Sequence, residues 1–137
     1  MDLGLKGLRA VVTGGTKGIG RAIADTLAAE GTHVAFCARN AAEVTATEAA
    51  LAAKGVTAVG RVVDVSDGAA LAAFVDEAAA VMGGLDIVVA NVSALAIPND
   101  EAGWKAGFET DMMGTVRLVN AALPHLHINP ARAMDLV

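Results

Sequence analysis

Apolar positions along the chain alternate between two rhythms. Short, nearly unbroken apolar runs occupy residues 8–12, 32–39, 56–65 and 85–91, rich in valine and alanine. Such runs predict strands buried on both faces of a parallel sheet. Between them the apolar residues space out to helical period. Ile19, Ile23 and Leu27 recur every fourth position and form one predicted helix stripe, stopped by Gly31. Asn40 and Glu43 stand at capping-box spacing before an alanine-rich helix that reaches Lys54 and is closed by Gly55. Leu71, Phe74, Val75, Ala78, Val81 and Met82 form the clearest amphipathic face, with Ser66 as its expected cap and Gly83-Gly84 as its end. After a looser stretch containing Pro98, a long helix is expected to carry Trp104, Phe108, Met112, Val116, Val119 and Leu123, with Pro124 near its end.

Alternating strands and helices predict an α/β fold with a doubly wound parallel sheet. Right-handed crossovers place the first two helices on one face. If the fourth strand returns beside the first, the later helices cover the other face and the strand order is 3-2-1-4. The direction of winding then reverses at the end of the first strand, where open α/β sheets bind ligands. No repeat, linker or low-complexity segment divides residues 1–137, so one domain is expected.

At that reversal lies Thr-Gly-Gly-Thr-Lys-Gly-Ile-Gly, residues 13–20. A strand, a glycine-rich turn and a helix in succession bring backbone N–H groups to the positive end of a helix dipole, where a pyrophosphate settles. Gly14 suits the exit from the strand, Gly18 lets a ligand approach the backbone, and Gly20 permits close packing of the helix on the sheet. A triphosphate P-loop is excluded, because Lys17 is followed by Gly18 rather than by Ser or Thr.

Composition narrows the setting. The net charge is −5 and no basic cluster appears, which argues against non-specific nucleic-acid binding. No apolar run is long enough for a membrane span, and the N-terminus lacks a basic start before an apolar core. Cys37 is the single cysteine, so no internal disulfide is available. A cytoplasmic protein is expected.

Thr-Gly-x-x-x-Gly-Ile-Gly near the N-terminus resembles the cofactor loop of the short-chain dehydrogenase/reductase family, whose Rossmann-like domain the chain is similar to over about residues 5–126. The resemblance implies an oxidoreductase that interconverts alcohols and carbonyls by hydride transfer with a nicotinamide dinucleotide. NAD sites usually hold the ribose 2′-hydroxyl with a carboxylate at the end of the second strand. Residues 38–40 are Ala-Arg-Asn, without an acid. Arg39 and Lys17 can pair instead with a 2′-phosphate, or be plain surface cations. In the resembling family this basic pair accompanies NADP(H), which makes NADPH the expected cofactor over NADH. The resemblance further assigns Gly14, Thr16, Lys17, Gly18, Ile19 and Gly20 to the cofactor loop and Asp64-Val65 to the adenine. Asp64 alternatively starts a turn. After the fourth strand the family has Asn-Asn-Ala-Gly where this chain has Ala90-Asn91-Val92-Ser93. Asn91 is retained to approach the ribose, and Val92 and Ser93 make the loop bulkier.

The chemistry is less complete. The family's proton donor is a tyrosine with a lysine four residues later, and the 137 residues contain no tyrosine. Ser66 and Ser93 are the only serines, and neither follows a fifth strand, where the family's serine stands. Asp111 occupies the place of the family's helix asparagine in Asp111-Met112-Met113-Gly114, as a water-holding group or as an ordinary surface acid. Glu101 and Glu109 read as exposed helix acids. His125 and His127 lie two apart, unlike a helical metal pair, so no metal is expected. Residues 127–137 depart from the family's next strand, which reads as a truncated ending. The chain as written is then the cofactor-binding part, inactive alone. The alternative is a non-enzymatic dinucleotide-binding or interaction module. An uncovered fourth strand and the long helix offer surfaces for a partner, including a second copy of the chain.

Overall fold

The computed structural model describes residues 1–96 and 98–126. In order, it holds β1 (Arg9–Thr13), α1 (Gly18–Ala29), β2 (His33–Ala38), α2 (Ala41–Ala52), β3 (Ala58–Val62), α3 (Gly68–Met82), β4 (Ile87–Val89), α4 (Glu101–Gly107) and α5 (Met113–Ala122). A π turn, Phe108–Met112, joins α4 to α5, and a 3-10 turn, Leu123–His125, follows. The sheet order is β3-β2-β1-β4, with every pair parallel, as the alternation of elements predicts.

Strand alternation divides the core into two layers. Val12, Val34 and Phe36 face one way and pack with Ala24, Ala28, Val44 and Leu51 of α1 and α2. Val11, Ala35, Cys37 and Val59 face the other way, against Leu71, Phe74, Val75 and Ala78 of α3 and Leu118 and Ala122 of α5. Helices on both faces leave the C-terminal ends of the strands as the open rim.

Several elements differ from their sequence reading. In α1 the buried face is Gly20, Ala24 and Ala28, with Ile23 and Leu27 of the expected stripe packed half-buried beside it, while Ile19 is 75% exposed. Small residues bring the helix backbone against the sheet and turn the bulkier Ile19 outward. In α3, Ala79 is buried and Val81 is exposed, because the stripe continues from Ala78 to its neighbour. The cap of α3 is Asp67, whose carboxylate accepts from the Ala70 N–H at 3.1 Å. Ser66 turns instead to Asp64. The long helix is interrupted by the π turn, and its buried side is Gly114, Leu118 and Ala122. Trp104, Phe108, Met112 and Leu123 are all more than half exposed, a stripe that no described residue covers.

The two sheet edges are treated differently. At β3 the outward Gly60 N–H donates to Glu48 Oε2 at 2.6 Å, and Arg61 Nη1 donates to the Gly60 carbonyl at 2.7 Å. Side chains thus occupy groups that another strand would need. Beside β4, the Leu85 N–H donates to the His125 carbonyl at 2.9 Å, and Leu85 bridges Leu126 in parallel. Among the described residues no strand pairs with the rest of that edge.

Candidate functional site

The rim where β1 and β4 end is stitched by side chains. Thr13 Oγ1 donates to the Val89 carbonyl at 3.4 Å and accepts from the Asn91 N–H at 3.1 Å. Asn91 Nδ2 then donates to the Gly14 carbonyl at 3.2 Å. The Gly14 and Gly15 N–H groups both donate to the Cys37 carbonyl, at 2.9 and 3.3 Å. This turn lies over β2 too closely for a side chain at residue 15, whose Cβ would stand 2.7 Å from Phe36 Cβ. Glycine at residue 15 carries a packing requirement that the motif alone does not reveal. Cys37 is fully buried, and burial pushes its thiol up to about 11, so it is an inert core side chain.

Two glycines set the cradle. A Cβ at Gly20 would overlap the Gly14 carbonyl oxygen and crowd Asn91 Nδ2 at 2.5 Å, so α1 starts tight under the turn. The close packing anticipated for Gly20 is therefore against the turn and Asn91 as much as the sheet. Gly18 has φ +59°, and a Cβ there would meet nothing within 4 Å, which leaves the backbone open to a ligand. Asn40, Asp67 and Asp100 cap α2, α3 and α4 with their side chains. Lys17, at the same position before α1, forms no side-chain cap. The first N–H groups of α1 are consequently available to an anion.

Beside the turn lies a crevice of about 720 Å³. Gly14, Thr16, Lys17, Arg39, Asp64, Val65 and Asn91 border it, so these expected cofactor residues are brought together. Gly20 lies beneath the turn, and Gly18 and Ile19 stand exposed at the start of α1, outside the crevice lining. The side chains of Lys17 and Arg39 form no hydrogen bond or ion pair among the described residues, although Arg39 acts on Asp64 through its charge. Asp64 Oδ1 accepts from the Ser66 N–H at 3.0 Å and its hydroxyl at 2.7 Å. Those bonds, with a smaller contribution from Arg39, hold its carboxyl below the usual aspartate range. Asp64 therefore both starts the turn and faces the crevice.

Sequence reasoning missed Glu43 as a crevice residue. Its Oε2 accepts from Thr16 Oγ1 at 3.1 Å, joining α2 to the glycine turn. Capping-box spacing pointed to Glu43 as a helix-start residue, and Asn40 does accept from its N–H at 3.0 Å. Only the crossover brings it across to Thr16.

Asp111 lies in the π turn. Its Oδ2 accepts from the Ser93 hydroxyl at 2.8 Å and its Oδ1 from the Ala94 N–H at 2.6 Å. Ser93 Oγ in turn accepts from the Leu95 N–H at 3.1 Å, and Leu95 adopts φ +49°. The carboxylate thus fastens the loop after β4. Glu101 pairs with Lys105, and Glu109 with Arg117, as surface acids do. His125 Nε2 meets Asp76 Oδ1 at 2.7 Å, and His127 lies outside the described residues. No helix among the described residues is long and apolar enough to cross a membrane.

An extended dianion meets suitable groups throughout this arrangement: open backbone at Gly18, a helix start without a side-chain cap, and two cations free of side-chain hydrogen bonds among the described residues, in a crevice of ligand size. The residues fit a nicotinamide dinucleotide. Residues 9–133 match the short chain dehydrogenase family. The chain belongs to this family. The matched span runs beyond Leu126, the end of the resemblance visible in the sequence motifs.

Among its relatives is the isoepoxydon dehydrogenase patN of Penicillium expansum, 37% identical over 136 residues, which are 95% of this chain and 51% of that protein. A short chain dehydrogenase from Burkholderia cenocepacia, solved in complex with NADP, is 34% identical with a TM-score of 0.78. That match covers 89% of this chain and 52% of the other. The L-sorbose reductase of Gluconobacter frateurii, solved with NADPH and L-sorbose, is 32% identical with a TM-score of 0.84, covering 92% and 50% of the two chains. The chain spans about half the length of the curated relatives it matches.

Proposed function

We propose that this chain is the NADP(H)-holding part of a short-chain oxidoreductase that interconverts alcohol and carbonyl groups. The observation carrying this reading is the placement of Arg39 and Lys17, whose side chains form no hydrogen bond or ion pair among the described residues, in the crevice beside the glycine turn. The N-terminus of α1 receives the pyrophosphate, Arg39 and Lys17 the 2′-phosphate, Asp64 and Val65 the adenine, and Asn91 the nicotinamide ribose. A bound nicotinamide dinucleotide supplies or accepts the hydride. Asp111 keeps the loop after β4 in place through Ser93 and Ala94.

With no tyrosine among the 137 residues, the family's Tyr-x-x-x-Lys donor is not within them, and binding without turnover is expected of this chain by itself. Fluorescence titration tests the reading. NADPH is expected to bind at least about tenfold more tightly than NADH, as loss of one charge-assisted contact implies. Equal affinities, or no binding of either, would refute it.

The exposed stripe Trp104, Phe108, Met112 and Leu123 favours a further, compatible reading, self-association through the long helix. An apolar hollow of about 520 Å³, bordered by Pro98, Trp104, Phe108 and Met112, continues that surface. Sedimentation at micromolar concentration is expected to give a dimer or larger species, which Trp104→Lys dissociates. A monomer at all concentrations rules this out. A stable assembly without dinucleotide binding would instead favour the interaction module.

A further inference from the structure

The crevice is not a simple basic pocket. Its charged lining is Lys17, Arg39, Glu43 and Asp64, two cations against two carboxylates. Asp64 is bound to Ser66 and kept ionised. Glu43 differs, because its carboxylate is held at the glycine turn by the Thr16 hydroxyl. It forms no ion pair with Lys17 or Arg39 among the described residues, so it neutralises neither cation by contact. Its backbone is fixed as well, by the Asn40 cap at the start of α2. One oxygen, Oε2, is engaged with Thr16, and the other has acceptor capacity to spare.

We propose that Glu43 sets the crevice's discrimination between dinucleotides, opposing a ribose 2′-phosphate and accepting a free 2′-hydroxyl. The carboxylate that the end of β2 lacks is thereby supplied from the first turn of α2. This inference rests on the crevice being the dinucleotide site. The opposition is electrostatic. A phosphate drawn to Lys17 and Arg39 shares the cavity with a fixed negative charge, whose repulsion acts across several ångströms and weakens in salt. A ribose hydroxyl carries no such penalty and can donate to a carboxylate oxygen. Lys17 and Arg39 therefore give a preference for the phosphorylated cofactor, and Glu43 limits its size.

Glu43→Gln separates charge from anchoring, because the amide oxygen still accepts from Thr16. In fluorescence titrations at low salt, Glu43→Gln is expected to tighten NADPH about three- to tenfold and not to tighten NADH. The NADPH gain should shrink as salt is raised. A purely structural role for Glu43 would shift both dinucleotides together, without salt dependence, and that result overturns the inference. Unchanged affinity for both overturns it too. If the unaltered protein binds neither dinucleotide, the parent reading fails and this one with it. If the unaltered protein prefers NADPH and the variant's ratio stays the same, this inference alone fails.

Discussion

Gly20→Ala is expected to lower the unfolding midpoint by about 10 °C and to abolish NADPH binding, as followed by circular dichroism and fluorescence titration. The added methyl would occupy the place of the Gly14 carbonyl oxygen and press on Asn91 Nδ2. Neither neighbour can yield cheaply. The Gly14 carbonyl belongs to the turn whose N–H groups are bound to Cys37, and Asn91 ties that same carbonyl to the end of β4. Relief requires α1 to move away from the turn, which undoes contacts of the buried Ala24 and Ala28 below it. A cost of about 3 kcal/mol, the upper end for overpacking, is the expected outcome. Gly18→Ala is the matched comparison. Its methyl meets no atom, so stability falls only by the roughly 1 kcal/mol of a left-handed backbone, whereas binding suffers through the ligand's approach. Equal stability of the Gly20→Ala and Gly18→Ala variants would remove the distinction between cradle and contact surface.

The sheet order was legible because it follows from periodicity and the chirality of crossovers, neither of which depends on individual side-chain contacts. The grouping of Gly14, Lys17, Arg39, Asp64 and Asn91 was legible for the same reason: each stands in the short connection that follows a strand's C-terminal end. Hydrophobicity by itself does not fix burial. Ile19 is more apolar than Ala24 or Ala28, yet the helix must come close to the sheet, and only small residues permit that approach. The stripe from Trp104 to Leu123 has helical spacing, but spacing does not tell whether a face meets the core or a surface. The cap of α3 fell to Asp67 rather than to its neighbour Ser66, a choice of one residue between two competent side chains.

Contacts between polar side chains distant in sequence were the least legible. Thr16 and Glu43 are 27 residues apart, and Ser93 and Asp111 are 18 apart. Neither pair has a local pattern to announce it. Asp111 read alone is a surface acid or a place for water. Beside the Ser93 hydroxyl and the Ala94 N–H it is the fastening of a loop that reaches a left-handed residue, Leu95. The bulk that Val92 and Ser93 bring to this loop thus has a partial compensation, since Ser93 contributes the hydroxyl that Asp111 accepts.

Arg39→Asp is expected to reverse cofactor preference. The variant places a carboxylate directly after β2, where NAD sites usually carry one, and removes a guanidinium that forms no contact needed by the fold. NADPH affinity should fall about 100-fold, combining a lost charge-assisted pair with repulsion of the 2′-phosphate. NADH affinity should hold or rise a few-fold, since a ribose hydroxyl donates to the new acid. Arg39 contributes little to Asp64, whose lowered carboxyl depends first on Ser66, so the adenine side of the crevice should persist. Isothermal titration with both dinucleotides checks the result, and an unchanged unfolding midpoint shows that the fold is intact. If both affinities decline in parallel, Arg39 serves the crevice's shape and not its choice of ribose. The phosphate would then have to be sought at Lys17 alone, which a Lys17→Ala titration decides.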